Sequence, residues 1–406
     1  MAFFTSEDLK ISFNFFCTVY GIGTLGLPSN FARSGITLAV IALLFMGFAN
    51  ICSCVAISRV MLAAPKTVKT YGDVGEWCCG KIGRYLVLFV QFGVCCLVPT
   101  AFLVLGGILL DGISPDAFDQ QYWSIIMAAM LMPVILTPTL KEGAAAAFAG
   151  CLGTLLADAI ALGVLAHGIG SDHRPSSPRL RFRPGCQLVW QPGAGLLRRR
   201  AGAALQREHS QPERMPRVVA TTMAFTACLF LIIGVTAYSF VGCQIPGNLL
   251  FAIGGTALDL NANRGAVVLA YMFMQLHITI AMSWPLVTAK YMTLRVVIVV
   301  ILLIIAIIFK DHFVDFTDFV GAWAVSMACI ILPIFFYLKV FWNRTPWYEK
   351  AIGAFIIVVC AGLGGYVTYT TGKNLFLDIV SDKTFQYCPA GYDMVVYTNE
   401  TFYGNN

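Results

Sequence analysis

Charged residues are scarce in this chain: they make up 12% of its 406 residues, whereas hydrophobic residues make up 58%. A soluble domain carries roughly a quarter of its residues as Asp, Glu, Lys and Arg, because its surface must be solvated. The composition therefore excludes an ordinary soluble domain. We also expect no nucleic-acid partner.

Motifs for metal binding and catalysis are missing as well. None of the fourteen cysteines forms a C-x-x-C pair, and most lie inside apolar runs, where cysteine behaves as a small hydrophobic residue. The apolar runs contain no paired carboxylates, no H-x-x-x-H and no G-x-S-x-G arrangement. We therefore expect no zinc or haem site, no cofactor and no enzymatic activity.

Long apolar runs, by contrast, take up most of the chain. About 20 residues of helix cross the roughly 30 Å of a bilayer's hydrocarbon core, and most of these runs are long enough. The first run lacks a basic leader and a small-residue cleavage site, which argues against a cleaved signal peptide. The sequence predicts an all-α integral membrane protein with one transmembrane domain over residues 1–406. The runs lie near residues 11–31, 36–59, 85–110, 121–138, 144–166, 218–242, 265–288, 294–309, 318–341 and 351–370.

The first apolar run contains Gly21, Gly23, Gly26 and Pro28. Glycine lowers the cost of leaving helical dihedrals and proline removes a main-chain donor, so this pattern predicts a helix that breaks halfway across the membrane. The amides and carbonyls freed there would need a bound solute as their partner. Secondary transporters bind substrates and coupling cations at such breaks. The alternative is a helix that only kinks or packs closely at its glycines.

The basic residues indicate an orientation. With a cytoplasmic amino terminus, most lysines and arginines outside residues 171–200 fall on the cytoplasmic side, provided that one further crossing lies between His167 and Gln206. The positive-inside rule therefore predicts eleven helices. Five basic residues then lie outside: Arg33, Arg264, Lys310, Lys373 and Lys383.

The only place for the additional helix is residues 171–200, which hold seven arginines and four prolines. An arginine at the membrane centre costs roughly 2.5–3.5 kcal/mol and proline breaks helices, so this stretch cannot insert as written. Read one base later, the codons for residues 190–195 admit small and apolar residues. We therefore predict that 171–200 is either translated out of frame or disordered, in place of a sixth helix. The alternative is an arginine-rich loop that binds phosphate or anionic lipid.

Three segments resemble the amino acid/auxin permease family of the amino acid-polyamine-organocation superfamily. They are G-I-G-T-L-G-L-P-S-N-F-A-R-S-G at residues 21–35, Y-G-D-V-G-E-W-C-C-G-K-I-G-R at 71–84, and Q-R-E-H-S-Q-P-E-R-M-P-R-V at 206–218. The resemblance implies a five-plus-five inverted-repeat transporter fold plus an eleventh helix, with the sixth helix missing or corrupted in this chain. It places the substrate between the broken first and sixth helices. The first-helix residues that would bind an amino acid through their main chain are Gly21, Ile22, Gly23, Thr24, Leu25 and Gly26.

Four residues are candidates for coupling transport to an ion. Asp158 lies deep in an apolar run, so it is a candidate proton carrier or a structural hydrogen-bonded acid. His277 can titrate near neutral pH, although a lone membrane histidine can equally bond a neighbouring helix. Thr279 and Ser283 could offer oxygen ligands to sodium. Sodium is the less attractive ion, because sodium-coupled relatives have asparagine where this chain has Cys17.

The carboxy-terminal tail, predicted to span residues 371–406, is extracellular or lumenal if the chain crosses eleven times. It contains the glycosylation sequon Asn399-Glu400-Thr401. Cys243 and Cys388 would then share the oxidising side and could pair, if their Cα atoms lie within about 7 Å. The housing membrane is predicted to be the plasma membrane or a vacuolar or lysosomal membrane.

These features favour a secondary active transporter of neutral L-amino acids, driven by protons, that alternates access around broken helices one and six. Two alternatives stay open. One is an amino-acid sensor or receptor that binds on the same fold without net transport. The other is an inactive paralogue, truncated or altered at its sixth helix.

Overall fold

The computed structural model describes residues 4–114, 117–136, 143–168, 211–254, 264–281 and 292–377, with Phe385, Tyr387, Cys388 and Met394 of the tail. Every regular element in these ranges is helical. Each apolar run predicted from the sequence overlaps at least one of the helices. The α-helices are α1 Ser6–Val19, α2 Leu27–Ser34, α3 Ile36–Ala63, α4 Tyr71–Ile113, α5 Gln120–Leu136, α6 Gly143–Gly168, α7 Met215–Val241, α8 Leu249–Ile253, α9 Arg264–Ala281, α10 Met292–Ile308, α11 Phe313–Val320, α12 Leu332–Phe341 and α13 Trp347–Leu377.

The first membrane helix is broken, as its glycines and proline predict. α1 ends at Val19, a single turn of 3₁₀-helix covers Ile22–Thr24, and α2 restarts at Leu27. A capping box starts α1: Thr5 Oγ1 accepts from the Asp8 amide, and the Asp8 carboxylate accepts from the Thr5 amide. The Asp8 carboxylate also pairs with Arg214 at 3.1 Å, which fixes α1 to the start of α7.

α4 is bent near its amino-terminal end. Gly80 has φ of 68°, a left-handed conformation that glycine adopts at little cost, and it separates residues 71–79 from the rest of the helix. Thr70 and Asp73 form a second capping box at the start of this short segment. Residues 71–79 are thus a short helix followed by a turn, in the place where the second family motif lies.

Among the described residues, six helical segments are long and apolar enough to cross a membrane. Two shorter apolar helices, Arg264–Ile280 and Val296–Ile308, accompany them. The segment Lys310–Phe341 includes two turns of π-helix, Gly321–Val325 and Met327–Ile331, between α11 and α12. The six segments are Ile36–Ala63, Tyr71–Ile113, Phe148–His167, Pro212–Gln244, Lys310–Phe341 and Trp347–Leu377.

The helices around the break determine what can reach it. α6 packs against α9 over most of its length and also contacts α1, while α1 and α2 both lie against α7. α8 contacts α2 and α6. The break is therefore enclosed by α6, α7, α8 and α9.

Residues 169–210 lie outside the described residues, and with them the stretch 171–200 predicted to replace the sixth helix. The same is true of Ser283 and Asn399. At the other end of the chain, α13 continues to Leu377, beyond the position where the tail was predicted to start.

Candidate functional site

Several main-chain carbonyls at the break already have partners within the protein. The Gly21 carbonyl accepts from the Thr24 amide at 3.1 Å, and the Leu25 carbonyl accepts from the Leu249 amide of α8 at 2.7 Å. The Gly26 carbonyl accepts from Ser29 Oγ at 2.9 Å and from Asn30 Nδ2 at 3.1 Å. The expectation that only a bound solute could satisfy the opened main chain is therefore wrong for these three carbonyls.

Asp158 of α6 joins the two sides of the break. One carboxylate oxygen accepts from the Tyr20 phenol at 2.7 Å, and the other accepts from Thr24 Oγ1 at 3.1 Å. Tyr20 is the residue that caps the end of α1, and Thr24 is the last residue of the 3₁₀ turn. One side chain from a distant helix therefore spans the unwound segment.

Asp158 is buried and has no counter-ion within the described ranges. Asp158, Tyr20 and Thr24 are 2%, 1% and 0% exposed. The ion pairs of the described chain involve other acids. Hydroxyl groups can donate to a carboxylate, but they do not neutralise it, and a buried charge without a counter-ion is costly. This arrangement can therefore hold a proton on the carboxyl group.

His277 of α9 also lies against the break. Its Nδ1 lies 3.0 Å from the Gly150 carbonyl oxygen of α6. Because a carbonyl oxygen can only accept, Nδ1 carries a hydrogen and donates the hydrogen bond. A Cβ placed on Gly21 would lie 2.9 Å from both Cε1 and Nε2 of the ring. The Nε2 edge of the histidine thus faces the first glycine of the break, in a space that only glycine leaves open.

The other coupling candidates are placed less favourably. Thr279 donates its hydroxyl to the Gln275 carbonyl of its own helix at 2.8 Å. The Cys17 thiol is free and buried on α1. Thiols are poor ligands for hard cations. The described residues contain no cluster of three or more His, Cys, Asp or Glu side chains that could hold a metal ion.

Aromatic side chains surround the break. The Tyr20 ring lies 5.9 Å from Phe230 and 5.2 Å from Phe16, and Phe16 lies 5.5 Å from Phe225. Two other aromatic residues of the broken helix pack elsewhere: Phe31 is fully buried against Tyr238, and Phe15 packs in a separate cluster with Ile11 and Met215.

Sequence reasoning missed a buried ion pair at the other end of α2. Arg33 pairs with Asp318 of α11, and their side chains are 5% and 11% exposed. The guanidinium also lies 5.0 Å from the centre of the Tyr387 ring. The positive-inside rule places Arg33 outside and gives it no partner. The apolar run 318–341 begins with Asp318, and an acid at the edge of a membrane helix is the sequence feature that could have indicated a buried ion pair.

The tail that carries Tyr387 is covalently attached. Cys388 forms a disulfide with Cys243, which lies just after α7, and their Cα atoms are 5.1 Å apart. The pairing expected from the sequence is thus present. It holds Tyr387 near Arg33, so that α2, α11, α7 and the tail meet at one place.

Curated relatives cover nearly the whole chain. It is 23% identical to amino acid transporter AVT3B of Arabidopsis thaliana over 91% of this chain and 94% of that protein. It is 24% identical to amino acid transporter AVT3C of the same plant, over 91% and 92%. A shorter match of 35% identity links 25% of this chain to 24% of amino acid transporter ANT1, also from Arabidopsis thaliana.

Solved transporter structures share the fold. The structure of MhsT in complex with L-phenylalanine superposes with a TM-score of 0.59 over 89% of this chain and 98% of MhsT, at 11% identity. A mutant of the manganese transporter of Eremococcus coleocola gives a TM-score of 0.58 over 92% and 89%, also at 11% identity. At this identity the likeness concerns the fold alone.

A model of the transmembrane amino acid transporter protein family matches residues 5–177 and 203–372. The interval between the two matched ranges, 178–202, overlaps the arginine-rich stretch 171–200 over residues 178–200. Because the two matched ranges take up most of its length, the chain belongs to the family of transmembrane amino acid transporter proteins, the amino acid/auxin permease family that its motifs resemble.

Proposed function

We propose that this chain is a proton-coupled secondary active transporter of neutral L-amino acids, with alternating access around the break in its first helix. One observation carries this proposal: a buried carboxyl group, that of Asp158, receives hydrogen bonds from Tyr20 and Thr24 on the two sides of the break. A proton bound there and a substrate bound to the same unwound segment would share one structural element. Such sharing is what coupling requires, because each ligand must bias the same conformational change.

The substrate site is proposed to use the main chain of Gly21, Ile22, Gly23, Thr24, Leu25 and Gly26. The Gly21, Leu25 and Gly26 carbonyls have internal partners, so recognition depends on the other main-chain groups and on the amino-terminal end of α2. That helix end is partially positive and suits a carboxylate.

A neutral side chain is favoured by the surroundings of the break. Phe16, Tyr20, Phe225 and Phe230 form successive ring contacts beside it. Aromatic surfaces bury apolar side chains well, whereas they leave a charged side chain without hydrogen-bond partners. The named relatives are amino acid transporters, which supports this substrate class without specifying the amino acid.

Sidedness is part of the proposal. The amino terminus is placed in the cytoplasm, and the tail outside the cell or in a vacuolar or lysosomal lumen. The Cys243–Cys388 disulfide supports this, because disulfides persist in oxidising compartments and are rare in the cytosol. Asn399 would then be glycosylated in a eukaryotic host. A gel shift removed by endoglycosidase and by Asn399→Gln would support the assignment, while an unglycosylated tail in a secretory-pathway membrane would contradict it.

The test of transport is uptake of labelled neutral amino acids into proteoliposomes. Uptake should rise when the donor compartment is acidic relative to the other side, and it should persist when potassium replaces sodium. Asp158→Asn should abolish the response to the proton gradient. Asp119→Asn makes the same charge change at an exposed residue and should leave the response intact. Uptake that follows a sodium gradient and ignores pH would rule out proton coupling.

The same preparation distinguishes a transporter from a sensor. A sensor would bind labelled amino acid with saturation but would not accumulate it under any ion gradient. Counterflow separates the two, because exchange of internal unlabelled for external labelled substrate needs alternating access and no driving force. Binding without counterflow would favour the sensor.

A second candidate is an inactive member of the family, and the interruption of the family match at residues 178–202 favours it. A chain without its sixth helix lacks half of the proposed substrate site. The coding DNA across residues 165–210 provides the test. A frameshift there would mean that the active protein has a different sequence in this stretch, whereas a clean in-frame sequence with no uptake would establish the inactive form.

A further inference from the structure

A cavity lies apart from the break, since none of its lining residues belongs to the helices around that break. It has a volume of about 320 Å³ and lies between the end of α3, the short helix 71–79 and the turn after α12. Its lining includes Trp77, Lys339, Trp342, Asn343 and Arg344. None of the residues that line it is acidic. The proposed transport cycle makes no use of it.

The charges of this cavity are available to a ligand. Lys339 and Arg344 form no ion pair within the described ranges, although other cations on this face do: Arg59 pairs with Glu349, and Arg84 pairs with Glu76. The Lys339 ammonium group has a weak partner, Cys79 Sγ at 3.5 Å. Two cationic side chains without counter-ions in the described ranges therefore line one cavity, together with Asn343, Trp77 and Trp342, whose side chains also carry N–H donors. Such a set of donors suits a phosphate group.

The position of the cavity points to the headgroup layer of a bilayer. Trp77 and Trp342 are 39% and 55% exposed, and Trp347 and Tyr348 follow in the same turn with exposed rings. Tryptophan and tyrosine concentrate at the level of lipid headgroups. Lys350 lies 4.8 Å from the centre of the Trp342 ring, which adds positive charge beside the opening. Basic pockets between membrane helices on the cytoplasmic side are typical sites for anionic headgroups.

We propose that this cavity binds the phosphate group of an anionic phospholipid, with Lys339 and Arg344 as the charged contacts and Trp77 and Trp342 as its walls. The bound lipid joins the ends of α3, α4 and α12. Free inorganic phosphate has the same chemistry but lacks acyl chains, which would anchor a lipid in the surrounding leaflet.

The experiment measures lipid binding to the full-length protein by native mass spectrometry. Dioctanoyl phosphatidic acid is titrated as the probe, with dioctanoyl phosphatidylcholine and inorganic phosphate as comparisons. Lys339→Gln combined with Arg344→Gln should weaken phosphatidic acid binding roughly thirtyfold, since each cation near a membrane surface contributes about a factor of five. Lys66→Gln removes an exposed charge outside the cavity on the same face and should change the affinity less than about twofold.

Three outcomes would overturn the proposal. The double variant could bind phosphatidic acid like the native protein, Lys66→Gln could weaken binding as much as the double variant, or phosphatidylcholine could bind as tightly as phosphatidic acid. Full displacement of the probe by inorganic phosphate at an equal concentration would overturn the lipid assignment. Lys339→Arg with Arg344→Lys keeps both charges, so loss of binding in this variant would also contradict the proposal if it folds.

Discussion

The phenol of Tyr20 donates a hydrogen bond of 2.7 Å to the carboxylate of Asp158, which lies 138 residues later in the chain. Tyr20 terminates α1, so this bond fixes the point at which the first membrane helix stops. The second carboxylate oxygen accepts from Thr24 at the end of the unwound turn. Loss of either donor leaves Asp158 with one hydrogen bond in a site from which water is excluded.

Tyr20→Phe tests this relationship. Removal of the hydroxyl leaves one carboxylate oxygen of Asp158 without its hydrogen-bond donor. We expect this to lower the free energy of unfolding by about 1–3 kcal/mol. We expect a lower melting temperature and a weaker response of uptake to the proton gradient. Tyr238→Phe is the matched control. Tyr238 packs against Phe31 of α2, and the phenol that bonds Asp158 is that of Tyr20. Equal effects of the two substitutions would contradict the role given to the phenol.

Gly21→Ala tests how closely the His277 ring approaches the main chain of the break. The added methyl group would lie 2.9 Å from Cε1 and Nε2 of the imidazole, so the ring must shift, and this shift disturbs its bond to the Gly150 carbonyl. We expect uptake to fall at least tenfold, a loss of about 1.4 kcal/mol or more in transition-state stabilisation. Substrate affinity should fall with it.

A second substitution distinguishes the collision with His277 from a general backbone effect. Gly21→Ala combined with His277→Ala removes the ring and should recover part of the substrate affinity. Gly362→Ala serves as control, because nothing lies within 4 Å of a Cβ there, and alanine should be neutral or slightly stabilising in that helix. The loss of substrate affinity in the double variant is compared with the sum of the losses in the two single variants. If the two are equal, the His277 ring and Gly21 are not coupled.

The broken helix illustrates what sequence can predict. Glycine and proline act through local backbone energetics, so their spacing at residues 21–28 was enough to predict an interruption, and the structure has one between Val19 and Leu27. The apolar runs are local too, and each overlaps at least one of the observed helices.

The partners of the break could not be predicted in the same way. Whether Asp158 reaches Tyr20 depends on which face of α6 meets α1. The sequence of α6 is apolar on all sides, so it gives little indication of that face. For the same reason, the sequence did not show that Leu249 would satisfy the Leu25 carbonyl, or that Arg33 would lie buried rather than in a solvated loop. Long-range packing decides these contacts.

The buried pair of Arg33 and Asp318 should be sensitive to the loss of either partner. Arg33→Gln leaves the Asp318 carboxylate without its ion-pair partner at a site that is mostly closed to water, which costs about 3–5 kcal/mol. We expect a large drop in the melting temperature of the detergent-solubilised protein. Arg33→Gln with Asp318→Asn should recover much of it, because two neutral amides can bond each other.

The exposed pair of Arg59 and Glu349 is the comparison for this prediction. The two groups are 3.5 Å apart and their side chains are 47% and 34% exposed, so Arg59→Gln should change stability by less than about 1 kcal/mol. If Arg33→Gln proves as mild as Arg59→Gln, then the carboxy-terminal end of α2 is more open to water than the structure indicates.

The disulfide between Cys243 and Cys388 should stabilise the protein by restricting its unfolded state. The two cysteines are 145 residues apart in sequence, and removal of a native disulfide typically costs about 2–5 kcal/mol. Cys388→Ser should lower the melting temperature, and dithiothreitol should lower that of the native protein to the same value. Cys228→Ser, at an exposed free cysteine, should have no effect.

Since the disulfide also places Tyr387 on the Arg33 guanidinium, Tyr387→Ala should reproduce only a part of the loss. A native protein that is indifferent to dithiothreitol, while Cys388→Ser is unstable, would show that the serine disturbs packing and that the covalent bond is not what holds the tail in place.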